Sequence, residues 1–391
     1  MSNRTNEVKT RAELFTTTIK KERKPERVPI LSNAWNWKFL DAGYTLSETC
    51  YDINKAKKAI RHYFQTYPTD AMFELANRNP FTFTQHFGSD THYIIDDSKG
   101  AMNIKDESFL EPEEYDELIA DPMKFVWEKF LPRKCKKITP EKNGKVYVEG
   151  MYAFIKYAMA YNGIGTMLAK EFGVPTPFDA EAPFYTLNAV DIMMDFMRGI
   201  RGLSMDMRRM PQKVKDACDA LDSVYEPDMA TYKGPDGHNN TAAFDGSMVY
   251  IAHTIMSAKQ FEMYYYPGLK KAAEFAQAHD KTVILFVEGN SERLYDFFAE
   301  LPKGHFLLQP EQNDLVRMKR ELPNIAIAGG MPATLLGGND KDACVDYAKK
   351  LVDELAYDGG YVFSSDKMLS YPTDCKRENL KAVCDFVAEY R

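Results

Sequence analysis

The sequence predicts a single (β/α)8 barrel over residues 27–391, preceded by a helical extension over residues 1–26. The first observation is a set of apolar runs that stop at polar or glycine residues: TVILFVEGN, KGHFLLQPEQNDL and LPNIAIAGGMPATLLGG. The second is that helical stretches separate them, SERLYDFFAEL and QNDLVRMKREL, and that a further helix, DACVDYAKKLVDELAYD, leads into GGYVFSSD. Apolar strand, polar strand end and amphipathic helix, recurring at roughly 20–30 residues, is the pattern of a parallel sheet with covering helices. In such a barrel the polar strand ends build the active site.

The elements follow in order. Residues 8–22 have helical character, and the Lys and Arg residues of the extension alternate with Glu, so a solvated helix is expected there. VPILSN (28–33) reads as the first strand and runs into Trp35-Asn36-Trp37. A helix over 55–66 precedes a second strand at 71–75, and HYIIDD is expected to be extended. Helical patterns cover 112–118 and 122–131, and the long helix AFIKYAMAYNGIGTMLAKEFG ends at Gly173, a natural C-cap. VPTPFDAEAPFYTLN is strand and loop. The Met-rich IMMDFMRGIRGLSMDMR is a helix whose methionines are expected to fill core rather than hold a cofactor. A helix over 213–224, the strand MVYIAHT and the helix PGLKKAAEFAQAHDK bring the count of strand-then-helix units close to eight.

Composition narrows the function class. A net charge of −7 and a pI near 5.7 weigh against a nucleic-acid surface. No apolar run approaches the roughly 18 residues that span a bilayer, and the polar N-terminus has no hydrophobic signal core. The six cysteines are scattered without CxxC pairs, as expected of reduced thiols in a cytoplasmic protein.

The chain resembles the uroporphyrinogen decarboxylase superfamily from about Arg27 to its end. The resemblance rests on RVPI, DAGYTL, YPTDAMF, EAPFYTLN, SAKQFEMYYYPGLKKAAEFAQ, VILFVEGN, IAGGMPATLLGG and GGYVFSSD followed by KRENLKAVCDF, in that order and spacing. It implies a single (β/α)8 barrel with one of two chemistries. The true decarboxylases of that superfamily carry an R-Q-A-G-R element whose arginines clamp porphyrinogen carboxylates. Here the matching stretch is Leu40-Asp41-Ala42-Gly43-Tyr44, so both arginines are absent. Their essential aspartate matches Asn77, and a family His falls near Asp366-Lys367. A substrate bearing several carboxylates needs bidentate cationic partners, so porphyrinogen decarboxylation is not expected.

The other chemistry implied by the resemblance is corrinoid-dependent methyl transfer, in which a methyl group passes from a small methylated compound to the cobalt of a separate corrinoid protein. The thiol-methylating branch binds zinc through H-x-C-G-N and a later Cys. Here Phe286 and Glu288 stand at the His and Cys positions of Phe286-Val287-Glu288-Gly289-Asn290, and GGYVFSSDKM has no Cys. The soft zinc site is therefore not written, and whether another metal binds stays open. An oxygen- or nitrogen-linked methyl donor, such as an aryl methyl ether, fits what remains. A decarboxylase or lyase acting on another small acid, and a non-catalytic ligand-binding barrel, are the competing readings, and self-association is left open.

Cleaving a methyl ether leaves an anionic oxygen that must be protonated or held by a Lewis acid. Glu288, at the end of a wholly apolar strand, is the first candidate acid; a carboxylate ligand for a hard metal is its alternative. His253 and Glu311 are the other catalytic candidates. Asn33, Trp35, Trp37, Glu74, Asn77, Asp179, Glu181, Tyr185, Gln309 and Asp366 are expected on the same rim as substrate-binding groups, with Phe184 helping to wall an apolar pocket. His305 comes too early in its strand to reach that rim. The loop YKGPDGHNNTAAFDG, carrying His238, is a candidate lid.

Overall fold

Eight parallel strand segments follow one another around the molecule in chain order. The computed structural model describes residues 3–76, 80–139, 141–184, 187–225 and 229–390. β1 (Leu31–Ser32) pairs with β2 (Ala71–Met72), and β3 (Thr176–Phe178) pairs with β4 (Ala242–Phe244). β5 (Gly246–Tyr250), β6 (Val283–Val287), β7 (Phe306–Pro310), β8 (Ala326–Met331) and β9 (Tyr361–Ser365) form a five-stranded parallel sheet in that order. β4 and β5 are one strand broken at Asp245, where the N–H groups of Asp245 and Gly246 both donate to Thr282 O at 2.9 and 3.1 Å. Two donors on one acceptor is a β-bulge. A bridge between Ile30 and Phe363, with Phe363 N donating to Pro29 O at 2.9 Å, returns β9 to β1.

The circuit is therefore hydrogen-bonded at every joint but that of β2 and β3, where no ladder exists among the described residues. The two strands meet instead through Phe73 and Phe178, whose rings lie edge to face at 5.6 Å. The expected closed barrel is realised as a parallel α/β wall with one open seam. The physical reason is the inserted chain between these two strands. It holds a helix (Phe81–Phe87), an antiparallel hairpin (Tyr93–Asp96 with Ala101–Ile104), short helices and the long helix Asn143–Met167. HYIIDD is extended as expected, but in that hairpin rather than in the wall. The long helix passes through a π-turn and stops at Gly173, whose φ of +63° is left-handed.

β5 to β9 are buried along almost their whole length, which accounts for their continuous apolar runs. The Met-rich segment packs Met193, Met194, Met197 and Met207 into the core.

The N-terminal extension departs from the solvated helix expected of it. Helix α1 (Asn3–Lys20) buries Val8, Ala12, Phe15 and Ile19, one stripe at helical spacing. It lies across the N-terminal ends of the strands. Arg11 donates to Thr69 O at 2.9 Å, Lys20 pairs with Asp280 at 2.7 Å, and Phe15 meets Phe244 at 5.3 Å between ring centres. The alternating charges lie on the outer face and at the rim; the stripe beneath closes the bottom of the wall. Phe15→Ala is expected to cost about 3–5 kcal/mol by leaving a cavity at this contact. Urea unfolding checks it, and a loss under about 1 kcal/mol would mean that α1 is no stopper.

Candidate active site

The C-terminal ends of β6, β7 and β9 bring three carboxyl-bearing residues to one part of the rim. Glu288 follows β6 directly and its N–H donates to Tyr250 O at 3.1 Å. Gly289, at a φ of +62°, turns its own N–H onto Glu311 Oε2 at 2.9 Å. A side chain at that left-handed position would be strained, so the glycine permits this contact. Asp366 follows β9 and accepts from Ala333 N at 3.0 Å. Burial pushes the Glu311 carboxyl up from its ordinary range against the Gly289 N–H, and the charge of Asp366 acts in the same direction as burial. Burial likewise pushes Asp366 up, against the Ala333 N–H and the Lys367 ammonium. For Asp366 the nearby carboxylate that adds to burial is Asp374, and desolvated carboxyl groups beside like charge tend to retain a proton.

Gln309 lies deeper, fully buried in β7. Its Nε2 donates to Ser364 Oγ at 3.3 Å, while its Oε1 has no hydrogen-bond partner. Across the rim, at the end of β1, Asn33 Nδ2 and Trp35 Nε1 are also buried without partners. Buried polar atoms of this kind are costly unless a ligand or water meets them. Trp37 is not a pocket wall: its indole N–H donates to Cys375 O at 2.9 Å and its ring packs near Tyr67.

A second polar group centres on Glu74, after β2. The Lys38 side chain is wholly buried beside it; its ammonium donates to Trp35 O at 2.7 Å and lies 4.5 Å from the Phe39 ring. Burial pushes Lys38 down to about 7, against the pull of Glu74. Burial, and then Glu74, push the Tyr157 and Tyr161 phenols up. Tyr161 also lines a crevice of about 1020 Å³ along the open seam, together with Leu75, Phe178, Asp179 and Glu181. Glu288, Glu311 and Asp366 do not line this crevice, so the crevice and the carboxyl cluster are separate features.

His253 is held as a strut. Its ring is buried, Nε2 lies 2.7 Å from Glu288 O, and Nδ1 lies 3.2 Å from Arg293 Nη2. Both nitrogens are thus engaged, and what His253 positions is the backbone of Glu288. Burial, and then the Arg293 charge, push it down to about 4. An unfolded histidine takes up a proton near pH 6.5, whereas the folded one resists until about 4. The contribution is complete above 6.5 and is lost as pH falls through that window, on the order of 3 kcal/mol. Asp191, pushed up to about 7 by burial, acts in the opposite sense over nearly the same range. The quantity to measure is therefore the difference between wild type and His253→Gln, which should shrink from pH 7 to 4; an unchanged difference contradicts a neutral, buried His253.

The remaining expectations divide. Asp179 accepts from Glu181 N at 3.1 Å, and both line the seam crevice. Asn77 and Tyr185 lie outside the described residues. Phe184 packs on Phe275, 5.4 Å away on the helix Tyr266–Ala278, and walls no pocket at the rim. His305 sits at the start of β7, 2.9 Å from Lys281 O, away from the rim as expected. The candidate lid carrying His238 is pinned at the N-terminal side instead. His238 Nδ1 meets Asp245 Oδ2 at 3.0 Å, and Lys281 donates to Gly237 O at 2.7 Å. Among the described residues no three His, Cys, Asp or Glu side chains converge so as to hold a metal ion, and all six cysteines are buried.

Residues 166–390, more than half of the chain, match the sequence model of the family described as uroporphyrinogen decarboxylase (URO-D). Among solved structures, a methyltransferase from Methanosarcina mazei is similar in fold, with a TM-score of 0.60 at 16% identity over 98% of each chain. A comparison with curated proteins finds no match. No helix of the described residues is long and apolar enough to cross a membrane.

Proposed function

As the chain belongs to the uroporphyrinogen decarboxylase family, we propose that it is a demethylating methyltransferase of that family. It takes a methyl group from a small methylated compound, with an aryl methyl ether as the leading class, and delivers it to the cobalt of a corrinoid protein. The same reading takes the eight strand segments as one (β/α)8 barrel whose β2–β3 seam is its entry side. The observation that carries it is the carboxyl pair at the rim, Glu311 and Asp366, whose pKa values are raised together beside the Glu288 strand end. The fold shared with a methyltransferase along the whole chain supports it.

The partner's corrinoid would supply the electron pair that forms the new bond to the methyl carbon. The bonding pair of the broken C–O bond stays with the oxygen, and a neutral carboxyl group of this cluster gives that oxygen its proton, so a phenol and a carboxylate result. Asn33 and Trp35 offer unmet donors, and Gln309 an unmet acceptor, for orienting a polar substituent. Phe178 lines the crevice along the seam and offers it an aromatic surface. No step needs zinc, for which the described residues hold no ligand set.

Two assays separate this reading from decarboxylation. Methoxylated aromatics should quench the Trp35 fluorescence saturably, with the signal lost in Trp35→Phe. Uroporphyrinogen should not be converted, because Leu40 and Tyr44 stand where a clamp needs arginines. Formation of coproporphyrinogen by the pure protein would overturn the proposal.

A further inference from the structure

The long helix Asn143–Met167 belongs to the insertion between β2 and β3, and it is apolar on two faces. Its inner face is accounted for. Gly150 sits against the Phe87 ring, and Phe83 meets Phe154 and Tyr157 at 5.3 Å each. The opposite face is not. Val148, Met151, Tyr152, Ile155 and Met159 are all exposed, Val148 and Met159 by 70%, and Phe154 on the adjoining flank is exposed by 43%. At 100° per residue these five share an arc of about 100°, a continuous stripe rather than scattered surface residues. A helix apolar on both faces is ordinarily covered on both, and a contiguous exposed apolar patch marks an interface.

The charges beside the stripe identify what covers it. Lys145, Glu149 and Lys156 follow it along one flank only; Tyr147, Phe154 and Ala158 occupy the other. When two helices pack antiparallel through such a stripe, like flanks face each other; when they pack parallel, unlike flanks do. Only the antiparallel arrangement sets charge against charge. It places Glu149 opposite Lys156 of the second helix, and Lys156 opposite Glu149. The midpoint of Glu149 and Lys156 falls between residues 152 and 153, one residue from the midpoint of the stripe Val148–Met159. A two-fold axis requires that coincidence, because the same patch must complement itself. Within one protomer these charges are weakly committed: Lys156 lies over the exposed Tyr152 ring at 4.3 Å, and Lys145 is 3.7 Å from Glu149. Both arrangements are open to solvent and easily exchanged.

We infer that this face is the two-fold interface of a homodimer, with the helices Asn143–Met167 antiparallel and Glu149 paired with Lys156 across the axis. The inference is independent of the reaction proposed above.

Sedimentation velocity on the full chain tests it, with far-UV circular dichroism to show that each variant is folded. Wild type should sediment as a dimer across the micromolar range. Ile155→Asp, at an exposed position, should give a monomer. Glu149→Lys should weaken the dimer by about tenfold or more, since like charges then oppose each other twice. The double change Glu149→Lys with Lys156→Glu should restore it, which no interface with a different protein would do. A monomeric wild type, a dimer indifferent to Ile155→Asp, or failure of the double change to restore association would each overturn the assignment.

Discussion

Glu311→Gln is expected to lower turnover by roughly 10²–10⁴-fold while substrate binding persists, the usual worth of a positioned proton donor. Gln keeps the shape and can still accept from Gly289 N, which lies 2.9 Å from the carboxyl oxygen, but it has no proton to give. The neighbour supplies a second, sharper test. The charge of Asp366 helps to raise Glu311, so Asp366→Asn should let the Glu311 pKa fall. An acid must be protonated to act, so activity should then fade at lower pH than in wild type. Glu288→Gln serves as comparator, because the same rim places Glu288 one residue from that Gly289 contact. The account places the larger loss at Glu311. Wild-type turnover in Glu311→Gln, or an alkaline limb unmoved by Asp366→Asn, would remove the carboxyl pair from the chemistry.

A loss of stability as large as that at Phe15 is expected at Asp191. This carboxylate is wholly buried and ties four donors together. Its Oδ1 accepts from Ala252 N at 2.8 Å, from Ile251 N at 3.1 Å and from the Tyr265 hydroxyl, and its Oδ2 accepts from Asn188 N at 3.3 Å. Ile251 and Ala252 form the turn after β5 that carries His253, and His253 in turn holds the backbone of Glu288. Asp191→Ala strands three buried N–H groups and a phenol, at a cost of about 3–5 kcal/mol. Asp191→Asn keeps an acceptor and should cost distinctly less. Denaturant unfolding of the two variants checks the order. An alanine variant within about 1 kcal/mol of wild type would show that other groups hold this turn.

The half of the fold from β5 onward was legible because each strand is buried on both faces and stops at polar residues, so apolar runs and their ends coincide with strand limits. In the first half the places of β1, β2 and the helix before β2 were legible, but the topology was not. β1 and β2 have two residues each, too few to carry a period, and the insertion after β2 contains helices and an extended pair that mimic further strand-then-helix units. The same insertion leaves the seam that a count of units cannot reveal. At the site, Glu311, Asp366 and Gln309 were readable as polar ends or interruptions of apolar runs. Lys38 was not, since WNWKF gives no sign that its lysine is buried beside a glutamate 36 residues further on. Asp191 shows locally as the last residue of the capping box Asn188-Ala189-Val190-Asp191; its hold on Ile251 and Ala252 is a long-range contact that no local pattern encodes. His253 looked like an acid or base because it ends a strand, and only the positions of Glu288 O and Arg293 reveal its strut role.

The central claim, methyl transfer from a small methylated compound, is tested most directly by isotope. The purified protein, a reduced corrinoid protein and a methoxylated aromatic carrying a labelled methyl carbon are mixed, and label and product are followed together. The account predicts that the label appears on the corrinoid protein in step with an equal amount of the free phenol, and that Glu311→Gln suppresses both. Phenol release without label on the corrinoid protein, or no reaction across the panel of methoxylated aromatics that bind, would contradict it.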